Sequence, residues 1–352
     1  MLASFKAEHV RSISQAELAL GSRVNLIVGA NGAGKTSLLE SIYLLGRGRS
    51  FRTRLNEKLI QQGTEYLRVV GQVPGDAFPS LIGLEVSRKG GTTARINAET
   101  PGSLAELATA FPVQVIDPEV HKLVEEGAAR RRRWLDWAVF HVEHGFGRDW
   151  ARYQRALQQR NAALRSGQDA LGPWDSELIR AGESLTSSRE RVVQGLAQYW
   201  GPLCQELAGV DLQIQFHPGW DTGLGLDQAL AAARDRDRER RTSTTGPHRA
   251  DLRLRCHGRL ARETLSRGQQ KLTAVALTLA QLMFLKEQQG IAPTLLLDDP
   301  AAELDSHRLG GFIQRVLRLE TQLVITSLQS DFALFGQPEQ VFHVEQGRVK
   351  TL

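Results

Sequence analysis

One eight-residue stretch narrows the folds open to this chain more than anything else in its 352 residues. Gly29-Ala30-Asn31-Gly32-Ala33-Gly34-Lys35-Thr36 satisfies the pattern G-x-x-x-x-G-K-[ST] at every position. It follows an apolar run, Val24–Val28, and opens a helical pattern over 36–45. A glycine-rich turn between a strand and a helix lets backbone N–H groups wrap a chain of phosphates. Lys35 then reaches the outer phosphates, the Thr36 hydroxyl serves Mg²⁺, and Ser37 after it completes the nucleotide-binding stretch. The motif predicts an α/β domain that binds a nucleoside triphosphate with Mg²⁺.

A second signal lies far along the chain. Thr294-Leu295-Leu296-Leu297-Asp298-Asp299 reads as a buried strand that delivers two carboxylates at its C-terminal end, where parallel sheets bind ligands. Asp298 is the candidate for Mg²⁺, and Asp299 for orienting or deprotonating an attacking water. About 30 residues earlier stands Leu265-Ser266-Arg267-Gly268-Gln269-Gln270-Lys271. Ser266 is placed to cap a helix and to face an anion, and Gly268 leaves room for close backbone approach.

At roughly 150 residues per domain the length implies about two domains. Strand patterns fall at 2–7, 16–20, 24–28, 66–73, 80–87 and 112–116. From 118 to about 241 helix-period segments replace them, chiefly 130–165 and 175–207. Strands and helices then alternate to the C-terminus, at 250–256, 267–287, 294–298, 306–319, 322–326, 341–345 and 348–352. The expected fold is a largely parallel α/β core (1–117 and 245–352) split by a mostly helical lobe (118–244). The alternating run 234–241 reads as a solvated helix end.

These three motifs in this order resemble the ATP-binding-cassette ATPases, with Leu265 to Lys271 in place of that superfamily's signature. Ala301-Ala302-Glu303-Leu304-Asp305 resembles the segment after its magnesium strand. Further segments resemble the bacterial recombination-mediator ATPases of DNA replication and repair, relatives of the chromosome-maintenance ATPase heads. They include Gly46-Arg47-Gly48-Arg49-Ser50-Phe51-Arg52, Pro118-Glu119, Arg131-Arg132, Leu135-Asp136-Trp137, Gln159 to Leu164, and Gly246-Pro247-His248-Arg249-Ala250-Asp251-Leu252. The resemblance implies a homodimer that closes on two ATP molecules. Ser266, Arg267, Gly268 and Gln269 of one copy would face the phosphate loop of the other. It also implies an ATP-dependent protein that binds duplex DNA and single/double-strand junctions and works with a recombination-mediator partner protein to load recombinase on single strands.

Departures from the wider superfamily carry meaning. The residue after the magnesium Asp is usually Glu, and the shorter Asp299 predicts slow hydrolysis with ATP acting as a switch; the resemblance implies that this weak ATPase depends on DNA. Ser327 stands where a switch His is expected, and no clear Gln loop follows the strand at 112–116; Gln114 lies within that strand pattern. These features argue against the ATPase subunit of a membrane transporter. Both carboxylates and the signature Ser argue against a nucleotide-binding scaffold without turnover.

The net charge is +5, and only eight of the 44 basic residues are Lys. Arg presents a fixed fork of donors suited to phosphate, so a polyanionic partner fits. Arg47, Arg49 and Arg52 are candidates for nucleotide, for packing on the helical lobe, or for DNA phosphate. Arg131 and Arg132 open a helix, where cations oppose the macrodipole. They answer either a phosphate partner or carboxylates across the lobes. Aromatics make up 6% and do not interleave with the basic runs, so sequence-tolerant, backbone-dominated DNA binding is expected. His248 follows Pro247 and reads as a turn residue and not as a catalytic one. Two cysteines, Cys204 and Cys256, build no disulfide framework. No apolar run reaches membrane-spanning length and no leader pattern opens the chain, so a cytoplasmic protein is expected.

Overall fold

The computed structural model describes residues 1–75, 78–168, 171–302, 306–328 and 335–352. They form two compact units, 1–119 with 290–352, and 120–289. Chain order begins in the first unit with β1 (Ser4–Val10), β2 (Ile13–Ala19), β3 (Val24–Val28) and α1 (Lys35–Arg47). Strands β4 (Tyr66–Val73), β5 (Ser80–Ser87) and β6 (Gly91–Ile96), helix α2 (Ala105–Ala110) and β7 (Val113–Ile116) follow. The second unit holds α3 (Lys122–Glu125), α4 (Ala128–Val142), α5 (Phe146–Arg165), α6 (Gly172–Ala208), β8 (Leu212–His217), α7 (Leu226–Ala232), α8 (Arg234–Arg240), β9 (Asp251–Cys256), β10 (Arg259–Leu260), α9 (Ala261–Thr264) and α10 (Arg267–Gln289). The chain then completes the first unit with β11 (Thr294–Leu297), α11 (Ser306–Leu317), β12 (Leu323–Ser327), β13 (Gln340–Glu345) and β14 (Arg348–Thr351).

The first unit is built on one sheet of order β6-β5-β4-β1-β2-β14-β13-β3-β12-β11-β7 among the described residues. From β13 to β7 all pairings are parallel. From β6 to β2 they are antiparallel; short connections join β1 to β2, β4 to β5 and β5 to β6 as hairpins, and β4 returns to lie beside β1. The expected α/β core is present, and nearly half of it is antiparallel. Every residue of β3, β11 and β12 is buried, as parallel strands covered on both faces require. Helix α1 buries Leu38, Leu39, Ile42 and Leu45, which helical spacing gathers on one face, into the same core. Each such side chain contributes about 1.5–3 kcal/mol, so the loop between β3 and α1 has rigid supports at both ends.

The second unit differs in extent from the sequence expectation. Residues 245–289, expected with the α/β core, group with the helical unit. The physical reasons are local. β9 pairs antiparallel with β8, in register from Leu212–Cys256 to His217–Asp251, and α10 packs along α6. The strand β8 went unread although Leu212-Gln213-Ile214-Gln215-Phe216 alternates apolar and polar.

The run 234–241, expected in solvent, and the Arg-rich α5 both contribute charged groups to the interior. Arg160 of the Arg-rich α5 is fully buried. Its guanidinium donates to Asp175 at 2.6 Å and to Asp237 and Ser243 at 2.7 Å. Asp237, within the run 234–241, is itself fully buried and accepts from the Thr244 amide at 2.8 Å. Asn161 accepts from the Ser243 amide at 2.7 Å. The Arg160-Asn161 pair therefore fastens the 242–246 stretch onto α5. A cation flanked by two carboxylates tolerates burial that a lone charge does not.

Candidate functional site

The glycine-rich loop begins where β3 ends. A side chain at Gly29 would place its Cβ 2.3 Å from the Val344 carbonyl oxygen of β13, so the loop passes too close to the sheet for any other residue. Gly34 adopts φ +116 as the N-cap of α1, and no side chain caps the helix there. The first amides of α1 therefore point into the loop, and its first turn holds no acidic residue. An anion is the natural partner of such an end. Lys35 is buried, and its ammonium donates to the carbonyls of Gly29 at 2.6 Å and Ala30 at 3.0 Å. Burial pushes its pKa down, and Asp299 and Asp298 oppose that shift.

The carboxylates arrive from β11 as expected. The Thr36 hydroxyl donates to Asp298 Oδ1 at 2.9 Å. Thr326, next to last in β12, donates to the same oxygen at 2.9 Å. The Thr326 hydroxyl also accepts from the Asp299 amide at 2.9 Å. One threonine thus holds both acidic residues in place. Sequence reading passed over it, although a polar residue inside a wholly buried strand was the available signal. Asp299 sits at φ 47, in the left-handed region that Asp tolerates better than most residues, and this turns the chain sharply as it leaves the strand. Ser327 is buried at the end of β12, and Gln114 lies within β7 in register with Leu295. Glu303, Leu304 and Asp305 lie outside the described residues.

These residues suit the expected ligands. The uncapped helix end and the side-chain-free surface at Gly29 suit phosphate. Asp298 and the Thr36 hydroxyl are hard oxygen donors 2.9 Å apart, the chemistry that Mg²⁺ takes beside substrate phosphates.

The signature segment belongs to the second unit. Ser266 Oγ accepts from the Gln269 amide at 3.3 Å, and Gln269 Oε1 accepts from the Ser266 amide at 3.1 Å. This reciprocal cap starts α10 and leaves Ser266 exposed. Arg267 is exposed and its guanidinium lies 3.4 Å from His121 Nε2. Gly268 occupies the first turn.

The arginine candidates divide. Arg49 and Arg52 are exposed. Their loop is held from below by Glu40, a fully buried carboxylate on α1. Glu40 takes Arg11 in a two-pronged pair at 2.6 and 3.0 Å, and the Ser50 hydroxyl also donates to it. Ser50 in turn accepts from the amides of Arg52 at 2.9 Å and Thr53 at 3.0 Å. Arg47 is half-buried over the Tyr43 ring, 5.7 Å from its centroid, and burial lowers its pKa. That packing sets it apart from the exposed Arg49 and Arg52.

Arg131 and Arg132 are corrected as DNA contacts. Arg131 is buried, grips Asp251 at 2.8 and 3.1 Å, and donates to the Glu126 carbonyl at 2.5 Å. Arg132 is half-buried and donates to the Ala250 carbonyl at 2.6 Å. Both fasten the 246–251 segment to α4. Their donors are committed to these partners inside the unit, which answers them without a DNA phosphate.

His248 belongs to the same anchored turn. Its Nε2 lies 3.0 Å from the Ser243 carbonyl, so that nitrogen donates, and Nδ1 accepts from the Tyr153 hydroxyl at 2.7 Å. The ring is neutral, with burial pushing its pKa from 6.5 down to about 4. The unfolded chain takes up this proton below pH about 6.5, the folded protein only near 4. Stability from this site is therefore full above that window and falls as pH drops through it, by up to about 3 kcal/mol. Denaturant unfolding of His248→Gln against the unmodified protein should show a flatter pH dependence between these values. Equal slopes would show that another group carries the acid sensitivity.

With the geometry in hand, known proteins offer a comparison. The RecF/RecN/SMC N terminal domain matches residues 1–350. The DNA replication and repair protein RecF of Shewanella amazonensis is 38% identical over 356 residues, 99% of this chain and 98% of that protein. Among solved structures, the recombination mediator protein RecF with ATP in the RecFOR pathway superposes with TM-score 0.90 at 27% identity, covering 100% of this chain and 97% of that one. An Smc head bound to the C-winged helix domain of ScpA, 15% identical with TM-score 0.62 over 100% of this chain and 96% of that one, shares the fold. These matches lend no support to a transporter subunit.

Proposed function

Since this chain belongs to the RecF family, within the RecF/RecN/SMC N-terminal domain proteins, we propose that it is an ATP-switched DNA-binding protein of replication and recombinational repair. It acts at duplex DNA and single/double-strand junctions, in the cytoplasm, with a recombination-mediator partner that helps place recombinase on single strands. The observation that carries the ATP reading is the Thr36–Asp298–Thr326–Asp299 chain of contacts at the mouth of an uncapped helix.

The amides of Gly29, Ala30, Asn31, Gly32, Ala33, Gly34, Lys35 and Thr36 cradle the phosphates, with Ser37 following in the first turn of α1. Lys35 exchanges its carbonyl partners for the outer phosphates. Thr36 and Asp298 hold Mg²⁺, which when bound neutralises charge between those phosphates. Asp299 orients the attacking water and takes its proton. Ser266, Arg267, Gly268 and Gln269 of a second copy close over the nucleotide, so ATP joins two chains and hydrolysis releases them. Arg49 and Arg52 are free to meet DNA phosphates. Arg47, packed on Tyr43, supports their loop.

The short arm of Asp299 sets turnover low. Steady-state phosphate release, with and without duplex DNA, tests this. We expect turnover below about 10 s⁻¹, the enzyme median, rising when duplex is added. Turnover above that value contradicts the switch, and absence of release favours a scaffold.

A further inference from the structure

We propose that the solvent face of β8 and β9, continued through β10 and α9, is a second track for the phosphodiester backbone of DNA, built from residues other than the Arg49–Arg52 loop. The inference rests on the reading that the chain binds DNA. Leu252, Leu254 and Cys256 of β9 point inward and are buried. Period-two alternation therefore puts Arg253 and Arg255 together on the outer face, about 7 Å apart. That repeat is of the same order as the spacing between successive phosphates of a nucleic-acid strand. The register sets Gln215 beside Arg253 and Gln213 beside Arg255, so the face is a double row of hydrogen-bond donors.

A groove of about 570 Å³ lies on the β10 side of β9, lined by Arg253, Arg255, Arg259 and Arg262 with Arg131, and by no residue of β8. The acids in the groove are already engaged. Asp251 is held by Arg131 at 2.8 Å and Glu263 by Arg262 at 3.3 Å. Among the described residues the Arg253 and Arg259 side chains make no hydrogen bond or ion pair, and the Arg255 side chain gives one N–H to the Gly258 carbonyl at 2.8 Å. Guanidinium groups are thus left with free donors on a surface where nothing inside the unit answers them. None of the large exposed apolar side chains falls on these strands. A peptide partner would need such an anchor, and a phosphate backbone does not.

The track also reaches the signature. Buried Gln270 of α10 donates from Nε2 to the Arg262 carbonyl at 3.2 Å and the Leu265 carbonyl at 3.0 Å. The turn that carries Arg262 and the residue before Ser266 are held by one side chain. DNA on the track is thereby tied to the residue expected to close the nucleotide site.

The test uses the full chain with Arg253→Ala, Arg255→Ala and Arg259→Ala combined, and a labelled blunt duplex of mixed sequence titrated over a salt series. Each phosphate contact contributes about 0.9 to the slope of log K against log salt. The triple variant should lose about 3 from that slope and bind duplex at least about tenfold more weakly at low salt. It should keep ATP binding and its DNA-free phosphate release and lose most of the stimulation by DNA. The corresponding triple Lys variant should keep the slope.

If the Ala variant does not bind ATP, the single variants Arg253→Ala and Arg259→Ala carry the test, each lowering the slope by about 1. A variant that binds ATP and duplex with unchanged affinity and slope overturns the track while leaving the DNA reading intact. So does a variant that loses binding to poly-glutamate but not to duplex. Failure of the unmodified chain to bind duplex removes the DNA reading, and the track with it.

Discussion

Asp299→Asn should lower the rate of ATP hydrolysis by about 10²–10⁴-fold, the range set by removing a positioned general base, while ATP binding stays unchanged. The geometry makes the substitution clean. Asp299 sits at φ 47, and Asn occupies that region as readily as Asp. Its backbone amide is held by Thr326 Oγ1 at 2.9 Å, a contact that an Asn side chain leaves alone. Asp298, which meets Thr36 at 2.9 Å, keeps its charge and its place. What is lost is the carboxylate proposed to accept the proton of the attacking water. The variant should therefore accumulate as an ATP-bound dimer that holds duplex longer than the unmodified protein. Single-turnover hydrolysis measured beside nucleotide binding checks both halves. A rate within a few-fold of the unmodified protein would move the base elsewhere.

Ser266→Gly should leave ATP binding to the monomer intact and weaken ATP-dependent dimerisation by about 10²–10⁴-fold. The Ser266 hydroxyl accepts from the Gln269 amide at 3.3 Å, so its loss also touches a helix cap. Gly is the replacement of choice because it costs an N-cap only a few tenths of a kcal/mol, against about 1 for Ala. A hydrogen bond to a charged group is worth about 1.5–3 kcal/mol. A two-fold dimer contains the contact twice, so about 3–6 kcal/mol is at stake. Each 1.4 kcal/mol is a factor of ten in the dimer constant. Analytical ultracentrifugation with a non-hydrolysable ATP analogue reads the effect directly. A Ser266→Gly chain that dimerises with ATP as well as the unmodified one would refute the arrangement in which one copy completes the site of the other.

The geometry of the candidate nucleotide site was legible in the sequence because its parts are local patterns. A strand, a glycine turn and a helix adjoin in the chain, and so do the buried strand Thr294–Leu297 and its terminal acids. The helix cap at Ser266 could likewise be read from Gln269, three residues on. The parts that escaped depend on partners far away in the chain. Arg131 and Arg132 offered phosphate or carboxylate as partners. Only the packing of α4 against the start of β9 shows Arg131 paired with Asp251, 120 residues on, and Arg132 on a main-chain carbonyl. In the sequence Arg160 is one charge among several arginines of α5, and its burial is visible only once Asp175 and Asp237 converge on it. The boundary of the second unit moved from 244 to 289 for the same reason. The pairing of β9 with β8 and the packing of α10 on α6 are choices between elements, and composition does not announce them. Thr326 and Glu40 belong to a middle class. Each is a polar residue in an otherwise buried stretch, a signal that marks a role without naming the partner.

The central claim is that ATP, through paired copies of this chain, controls its hold on DNA. Duplex binding measured alongside solution mass, with ATP, with ADP and without nucleotide, at two salt concentrations, tests it most directly. The account predicts a dimer and tight, salt-sensitive duplex binding with ATP, and a monomer with weak binding in the other two conditions. A chain whose mass and duplex affinity are the same in all three conditions would contradict it.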